Sequence, residues 1–203
     1  MKNPMRAGLL IVAGASLVGC SSSRAFDEAA VLPVERYPTP IAADPVVEGE
    51  RVEGLSSGRF YRAGRFVFGP QPTDDDLIAL RRAGVGSVVN LRSVREAEDR
   101  ERTPFDEPGV AGRLGMDYHH IPLGGDDGYE PADVDAFARI LDEDDGDVLV
   151  HCASGGRVRS MMVAWLMTRR GYSPEQAEQW RLTVGGQPTS LDQLLGKAVA
   201  NED

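Results

Sequence analysis

The residues best suited to chemistry lie in one short run, His151-Cys152-Ala153-Ser154-Gly155-Gly156-Arg157. An apolar stretch precedes this run, and a stretch with helical character follows it from Val158 to Met167. Backbone amides in such a loop point inward, while the helix start and Arg157 add positive charge and hydrogen-bond donors. The same features favour the thiolate form of a cysteine, which is its nucleophilic form. The run therefore predicts an anion-binding loop with a nucleophile at its base; residues 152–157 are called the Cys loop below.

The neighbours of Cys152 decide between two interpretations, since a single cysteine is more often an inert core residue than a nucleophile. His151 and Arg157 flank the thiol, and two adjacent glycines allow the loop backbone to approach a ligand closely. These neighbours favour a functional loop. The residues predicted to bind the anion are consecutive: Ala153, Ser154, Gly155, Gly156 and Arg157.

The segments around the Cys loop predict an α/β fold. An apolar strand, Val148 to Val150, ends at the loop, and Val85 to Leu91 and Tyr118 to Ile121 form two further strands. Apolar residues recur at helical spacing between Val134 and Leu141. Alternating strands and helices predict a central, mostly parallel sheet with helices on both faces. The Cys loop then lies at the carboxyl end of a strand, where open α/β sheets bind ligands.

The run resembles the signature loop of the protein tyrosine and dual-specificity phosphatase superfamily, which reads His-Cys, then glycine, then Arg. Those enzymes usually place one residue more between the cysteine and the arginine than the four found here. The shorter spacing is similar to that of the bacterial β-lactamase-hydrolase-like phosphatases, a branch of this superfamily. That branch also shows motifs similar to Phe68-Gly69-Pro70-Gln71-Pro72-Thr73 and Val88-Val89-Asn90-Leu91-Arg92, in the same order. The resemblance covers about residues 58–185.

The resemblance implies a phosphatase-like domain that hydrolyses phosphotyrosine, phosphoserine or small phosphoesters through a thiophosphoryl intermediate, without a cofactor or a metal. Cys152 would attack phosphorus, and Arg157 and the loop amides would hold the phosphate oxygens. By analogy with the family, the general acid is an aspartate on a loop upstream of the cysteine. Asp126 and Asp127, in a glycine-flanked loop, are the candidates for this role. The alternative for both is a solvated loop position.

Two features depart from the superfamily pattern. Val158 follows Arg157, where Ser or Thr usually helps the thiolate to leave, so Ser154 or Ser160 would have to substitute, or hydrolysis is slow. Arg159 competes with Arg157 for the role of anion ligand, but six residues would separate it from the cysteine, which favours Arg157.

The loop length also leaves two other functions open. Rhodanese-like sulfurtransferases likewise place four residues between the cysteine and the arginine, and there Cys152 would carry a persulfide. A non-catalytic anion-binding lipoprotein module is the third hypothesis. The upstream motifs favour the phosphatase, whereas the loop alone does not decide.

The first residues predict an export signal. Lys2 and Arg6 form a positive start, and the apolar core from Leu9 to Val18 is short for a membrane span. The sequence Leu17-Val18-Gly19-Cys20 resembles the lipobox of bacterial lipoproteins, in which Cys20 is lipidated. With Ser21 next, the resemblance implies a protein anchored to the outer membrane and facing the periplasm. An ordinary cleaved signal or a transmembrane anchor are the alternatives.

The sequence thus divides into three predicted parts: signal peptide 1–19, lipidated N-terminus and flexible tether 20–56, and phosphatase-like domain 57–203. Four prolines interrupt the tether, for which an extended strand on the domain surface is the alternative. The net charge of −10 argues against nucleic acid as a partner. The predicted partners are a phosphorylated protein or small phosphoester and, through the lipid, the membrane. Because the overall charge repels anions, affinity for phosphate must be local to the Cys loop.

Overall fold

The computed structural model describes residues 49–184 and 191–196, which form a six-stranded sheet and seven α-helices. The strands are β1 (Glu50–Val52), β2 (Phe60–Ala63), β3 (Phe66–Gly69), β4 (Val85–Asn90), β5 (Asp117–His120) and β6 (Asp147–His151). The helices are α1 (Asp74–Arg82), α2 (Val94–Glu98), α3 (Glu107–Arg113), α4 (Pro131–Glu143), α5 (Gly156–Arg169), α6 (Pro174–Val184) and α7 (Leu191–Leu194). Within these residues, no helix is long and apolar enough to cross a membrane. The predicted signal peptide, Cys20 and the tether up to residue 48 lie outside them, so the export and lipidation of the chain stay predictions.

The sheet has the strand order β1-β2-β3-β6-β4-β5. Four neighbouring strands of the six, β3, β6, β4 and β5, run parallel to one another. Strand β2 pairs antiparallel with both β1 and β3. This confirms the predicted α/β fold with a mostly parallel sheet. Strand β1 pairs Val52 with Phe60, so the sheet includes residues that the sequence assigned to the tether before residue 57. Strand β6 lies between two parallel neighbours, which places the Cys loop centrally at the carboxyl edge of the sheet.

Helices cover both faces of the sheet because side chains alternate along each buried strand. On β6, Val148 and Val150 join the cluster that contains the apolar faces of α4, α5 and α6. Leu149 points the other way, into the cluster that contains Leu77 and Leu80 of α1 and Ala111 of α3. The unbroken apolar run before the Cys loop is therefore a strand buried on both faces, as parallel strands are.

The first turn of α1 carries three acidic residues, at positions 74–76. Thr73 caps the helix, and its hydroxyl accepts a hydrogen bond from the Asp76 amide at 3.1 Å. The buried Asp76 carboxylate accepts bonds from the amides of Ser56 and Ser57 at 2.7 and 3.1 Å. Asp76 therefore ties the segment before β2 to the helix that precedes β4.

Candidate active site

Three sequence motifs meet at the Cys loop through backbone hydrogen bonds. The Leu91 amide donates to the His151 carbonyl at 2.8 Å, which joins the Asn-Leu-Arg strand end to the loop. The Cys152 amide donates to the Gly69 carbonyl at 3.4 Å. The Gln71 amide donates to the Ala153 carbonyl, also at 3.4 Å. The Gly-Pro-Gln-Pro-Thr motif thus forms one flank of the loop and the Asn-Leu-Arg motif forms the other.

The sulfur of Cys152 lies at the base of the loop and is fully buried. The Gly155 amide donates a hydrogen bond to Sγ at 3.0 Å. Gly155 has a φ of +91°, a conformation that L side chains rarely adopt. This backbone turn is what aims the amide back at the sulfur. Ala153 and Ser154, at the crest of the loop, are exposed.

Arg157, on the first turn of α5, points into the cleft above the loop. Its Nη2 donates to Glu96 Oε1 at 2.8 Å, and its Nη1 donates to the Leu123 carbonyl at 2.6 Å and to Glu96 Oε2. Burial lowers the pKa of Arg157, but the bonds to Glu96 and the nearby Cys152 outweigh burial and raise it. The guanidinium is therefore charged and held in a fixed orientation.

Arg159, the competing arginine, lies on the other side of the loop. Its Nε donates to the Val184 carbonyl at 3.3 Å, and its guanidinium lies beside Gly155, outside the cleft that Arg157 lines. The two arginines differ because residues two apart on a helix do not share a face.

Glu96, the partner of Arg157, was not predicted from the sequence. Its carboxylate also accepts bonds from the Ser93 amide at 3.0 Å and the Ser93 hydroxyl at 3.2 Å. The only signal in the sequence is the spacing Ser93-x-x-Glu96, which is typical of a capping box at a helix start. The bonds from Arg157, and to a lesser degree those from Ser93, hold the pKa of Glu96 at about 2 against the opposing effect of burial.

The low pKa of Glu96 predicts a specific loss of stability in acid. A carboxylate with a lowered pKa stabilises the folded state above its unfolded value, 4.5, and that stability disappears as the pH falls towards 2. We expect the melting temperature of the Glu96→Gln variant to fall less between about pH 5 and pH 3 than that of the native chain. Thermal melts followed by circular dichroism measure this, with Glu98→Gln on the exposed face of α2 as the control. Equal pH dependence in the native and Glu96→Gln chains would contradict the assignment.

Asp126 and Asp127 lie in the loop beside the cleft, within the short 3₁₀ turn Gly125–Asp127. Both are exposed, and neither lines the cleft. Asp127 Oδ2 accepts a hydrogen bond from the Val94 amide at 2.9 Å, which joins this loop to the start of α2. The Asp126 carboxylate makes no hydrogen bond or ion pair with the described part of the chain. The structure therefore brings both predicted acids near the Cys loop but not into contact with it.

The cleft itself has a volume of about 710 Å³. The Cys loop contributes Ser154, Gly156 and Arg157 to its floor, and α2 and the turn after it form one wall. Gly124, Gly125 and Tyr129 form the other wall. A second cavity, of about 670 Å³, lies at the amino end of β3 and includes no residue of the Cys loop. The cleft of about 710 Å³ is therefore the space in which a ligand of the Cys loop would bind.

A buried ion network supports the Cys loop from below, and it too was not predicted. Glu107 of α3, 1% exposed, receives a bond from Arg92 Nη2 at 2.8 Å and one from Gln71 Nε2 at 3.2 Å. His151 Nε2 lies 2.8 Å from Glu107 Oε1, although the two are poorly aligned for a hydrogen bond. One carboxylate thus contacts a side chain from each of the three motifs that meet at the loop.

In this network the negative charge of Glu107 is paired with the positive charge of Arg92. Burial raises the pKa of Glu107, but the neighbouring His151 and Arg92 outweigh it and hold that pKa below its ordinary value. Burial, together with Glu107, raises the pKa of Tyr118 to about 12, so its phenol is neutral. Arg92 is 3% exposed and paired with Glu107, which makes it a structural residue of the loop support. His120 Nε2 lies 2.8 Å from the Arg92 carbonyl, which gives this histidine a structural role.

Comparison with known proteins agrees with this geometry. The sequence model of the family described as DSP-PTPase phosphatase fused to NAD+ kinase matches residues 44–195. The chain belongs to this family. It is a phosphatase domain of the dual-specificity and tyrosine phosphatase type, and it is similar to β-lactamase hydrolase-like proteins, as its motifs predict.

Two such relatives show how far the similarity extends. The β-lactamase hydrolase-like protein of Xylella fastidiosa strain Temecula1 is 37% identical over 94 residues, 46% of this chain and 21% of the relative. That of Agrobacterium fabrum is 34% identical over 99 residues, 49% of this chain and 22% of the relative. The matched segment of this chain thus spans about a fifth of the length of these curated relatives.

Solved structures share the fold. Tk-PTP in its active form has a TM-score of 0.54 and 26% identity, covering 65% of this chain and 88% of that chain. A cysteine-to-serine form of P. aeruginosa TpbA, in complex with phosphotyrosine, has a TM-score of 0.53 and 20% identity, covering 72% of this chain and 83% of that chain. Because the TpbA structure is only 20% identical to this chain, its similarity shows a shared fold and nothing more.

Proposed function

We propose that this domain hydrolyses phosphate monoesters, with Cys152 as the nucleophile. The observation that carries the proposal is the hydrogen bond from the Gly155 amide to Cys152 Sγ at 3.0 Å. It lies within a loop that ends at Arg157 on a helix start, where backbone amides and positive charge converge. This arrangement favours both an anionic sulfur and an anionic ligand above it.

The reaction takes place in two steps. The thiolate of Cys152 attacks phosphorus, an S–P bond forms, and the P–O ester bond breaks with its electron pair going to the leaving oxygen. A carboxylic acid protonates that oxygen, for which we assign Asp126, because the Asp127 carboxylate already binds the Val94 amide. The resulting carboxylate then takes a proton from water, which attacks phosphorus and releases the thiolate and inorganic phosphate.

Arg157 is suited to hold the phosphate oxygens in both steps. A guanidinium has five N–H donors, and Glu96 and Leu123 take three of those of Arg157. The remaining two, on Nε and Nη2, lie side by side and form a second fork, the geometry that binds phosphate bidentately. Glu96 thus orients the guanidinium without using its whole binding capacity.

Access to the sulfur requires movement of the loop, since Cys152 is buried. Ala153 and Ser154, which follow it in the loop, are exposed, and two glycines come next. Glycine gives this segment the backbone freedom to open towards the cleft. The proposed mechanism therefore includes a conformational step before the chemical one.

Paired assays on the same purified chain test the proposal. We expect hydrolysis of para-nitrophenyl phosphate, no transfer of sulfur from thiosulfate to cyanide, and loss of hydrolysis in Cys152→Ser.

We also expect Asp126→Asn to lower kcat by about 10²-fold or more, as loss of a general acid does. Asp127→Asn is the matched control and keeps kcat within about threefold of native. Sulfur transfer that withstands both aspartate variants would establish the sulfurtransferase instead, and heat protection by phosphate without turnover of either substrate would establish an anion-binding module.

A further inference from the structure

The cleft above the Cys loop carries more positive than negative charge, although the whole chain has a net charge of −10. Its charged lining consists of three arginines and two acids: Arg95, Arg102, Arg157, Glu96 and Asp99. Each acid contacts one of these arginines, Glu96 through the bonds to Arg157 and Asp99 at 3.4 Å from Arg102 Nε. Arg95 is exposed and has no acidic partner among residues 49–184 and 191–196. The charged lining of the cleft therefore has a net charge of +1, and Arg95 is the arginine whose charge no acid of the lining offsets.

The positions of the two further arginines place this charge beside the Cys loop. Arg95 precedes Glu96 on α2, and Glu96 holds the guanidinium of Arg157. Arg102 lies in the turn after α2, on the same wall of the cleft, and is exposed. A ligand whose phosphate contacts Arg157 and the loop amides therefore passes along the Arg95 and Arg102 wall.

The cleft is also larger than a single phosphate group requires. Its volume of about 710 Å³ lies within the range that binds whole small molecules. The opposite wall, with Gly124, Gly125 and Tyr129, carries no charged lining residue. An anionic group on the non-reacting part of a substrate would therefore turn towards the arginines.

We propose that Arg95 and Arg102 form a second anion subsite, and that the substrate is a small phosphomonoester with a second anionic group, a carboxylate or another phosphate. This inference rests on the proposed function, since it takes the Cys loop as the site of the reacting phosphate. Guanidinium groups bind carboxylates and phosphates through charge-assisted hydrogen bonds. Because the acidic surface of the domain repels anions at long range, this local attraction selects substrates at short range.

A matched pair of ligands isolates the second anion. sn-Glycerol 3-phosphate and 3-phosphoglycerate share a three-carbon phosphoester, and only the second carries a carboxylate. Calorimetric titration of the full chain carrying Cys152→Ser measures both dissociation constants without turnover. We expect 3-phosphoglycerate to bind about tenfold more tightly at low salt, and the ratio to fall to about two or less in the Arg95→Gln, Arg102→Gln double variant.

The readout is the ratio of the two dissociation constants, because a folding defect would weaken the binding of both ligands by the same factor. Arg82→Gln with Arg139→Gln is the control, since it removes the same charge from exposed positions on α1 and α4, and we expect the ratio to persist. Equal affinities for the two ligands, no binding of either, or an equal fall in the control would each overturn the subsite. Absence of para-nitrophenyl phosphate hydrolysis by the native chain, with the affinity ratio intact, would overturn the proposed function and leave the subsite standing.

Discussion

Substitution of Arg157 by lysine is expected to lower kcat/KM for para-nitrophenyl phosphate by about 10³-fold. The guanidinium of Arg157 binds both oxygens of Glu96 through one fork of donors and keeps a second fork for the phosphate. Lysine keeps the positive charge, but it is a point charge on a flexible chain and forms neither fork. The loss should appear mainly in kcat, because charge on the phosphoryl oxygens is distributed differently in the transition state from the ground state.

Arg159→Lys is the matched control for this experiment. Arg159 lies two residues further along the same helix, and its Nε donates to the Val184 carbonyl, away from the cleft. We expect this variant to retain kcat/KM within about threefold of the native value. A large loss in Arg159→Lys together with near-native activity in Arg157→Lys would show that Arg159, which six residues separate from Cys152, binds the phosphate.

The second large effect is expected in stability, from Glu107→Ala. Glu107 and Arg92 are 1% and 3% exposed, and their ion pair at 2.8 Å is shielded from water. Removal of one partner leaves the other charge buried without compensation, which costs about 3–5 kcal/mol. Loss of Glu107 also frees Gln71 and His151, so the Cys loop loses its support at the same time. Urea denaturation of the native and variant chains measures the difference in the free energy of unfolding.

Two further variants serve as comparisons for Glu107→Ala. Glu107→Gln keeps a hydrogen-bonding group of similar size, and we expect it to lose less stability than the alanine variant. Glu53→Ala removes the partner of Arg51 in an exposed pair, for which we expect a change within about 0.5 kcal/mol. Equal unfolding midpoints for Glu107→Ala and Glu53→Ala would show that the network holds the loop without stabilising the domain.

Local patterns were enough to predict most of the secondary structure around the loop. The strand that ends before the Cys loop and the helix with apolar spacing between Val134 and Leu141 both follow from residue patterns that act over a few positions. Strand β1 was missed, because Glu50–Val52 is short, mostly exposed and stabilised by pairing with β2. Such a strand has no alternation or apolar run by which a sequence pattern reveals it.

The pairing of Glu96 and Glu107 was beyond sequence analysis for a different reason. Glu96 lies 61 positions from Arg157, and Glu107 lies 15 positions from Arg92 in a charged, irregular segment. In the sequence such acids look like solvated surface residues, the usual fate of glutamate. Their pairing depends on which strand ends become neighbours, and β4 and β6 are adjacent only because the chain crosses over between them.

The sequence by itself determined the family, the α/β fold and the position of Cys152 at the end of a buried strand, because a loop motif, apolar runs and turn residues are local properties. Only the tertiary structure decided which arginine faces the cleft, which acid orients it and which buried carboxylate joins the three motifs. These outcomes depend on the direction of side chains across the sheet edge. Short-range preferences leave that direction undetermined, and long-range packing fixes it.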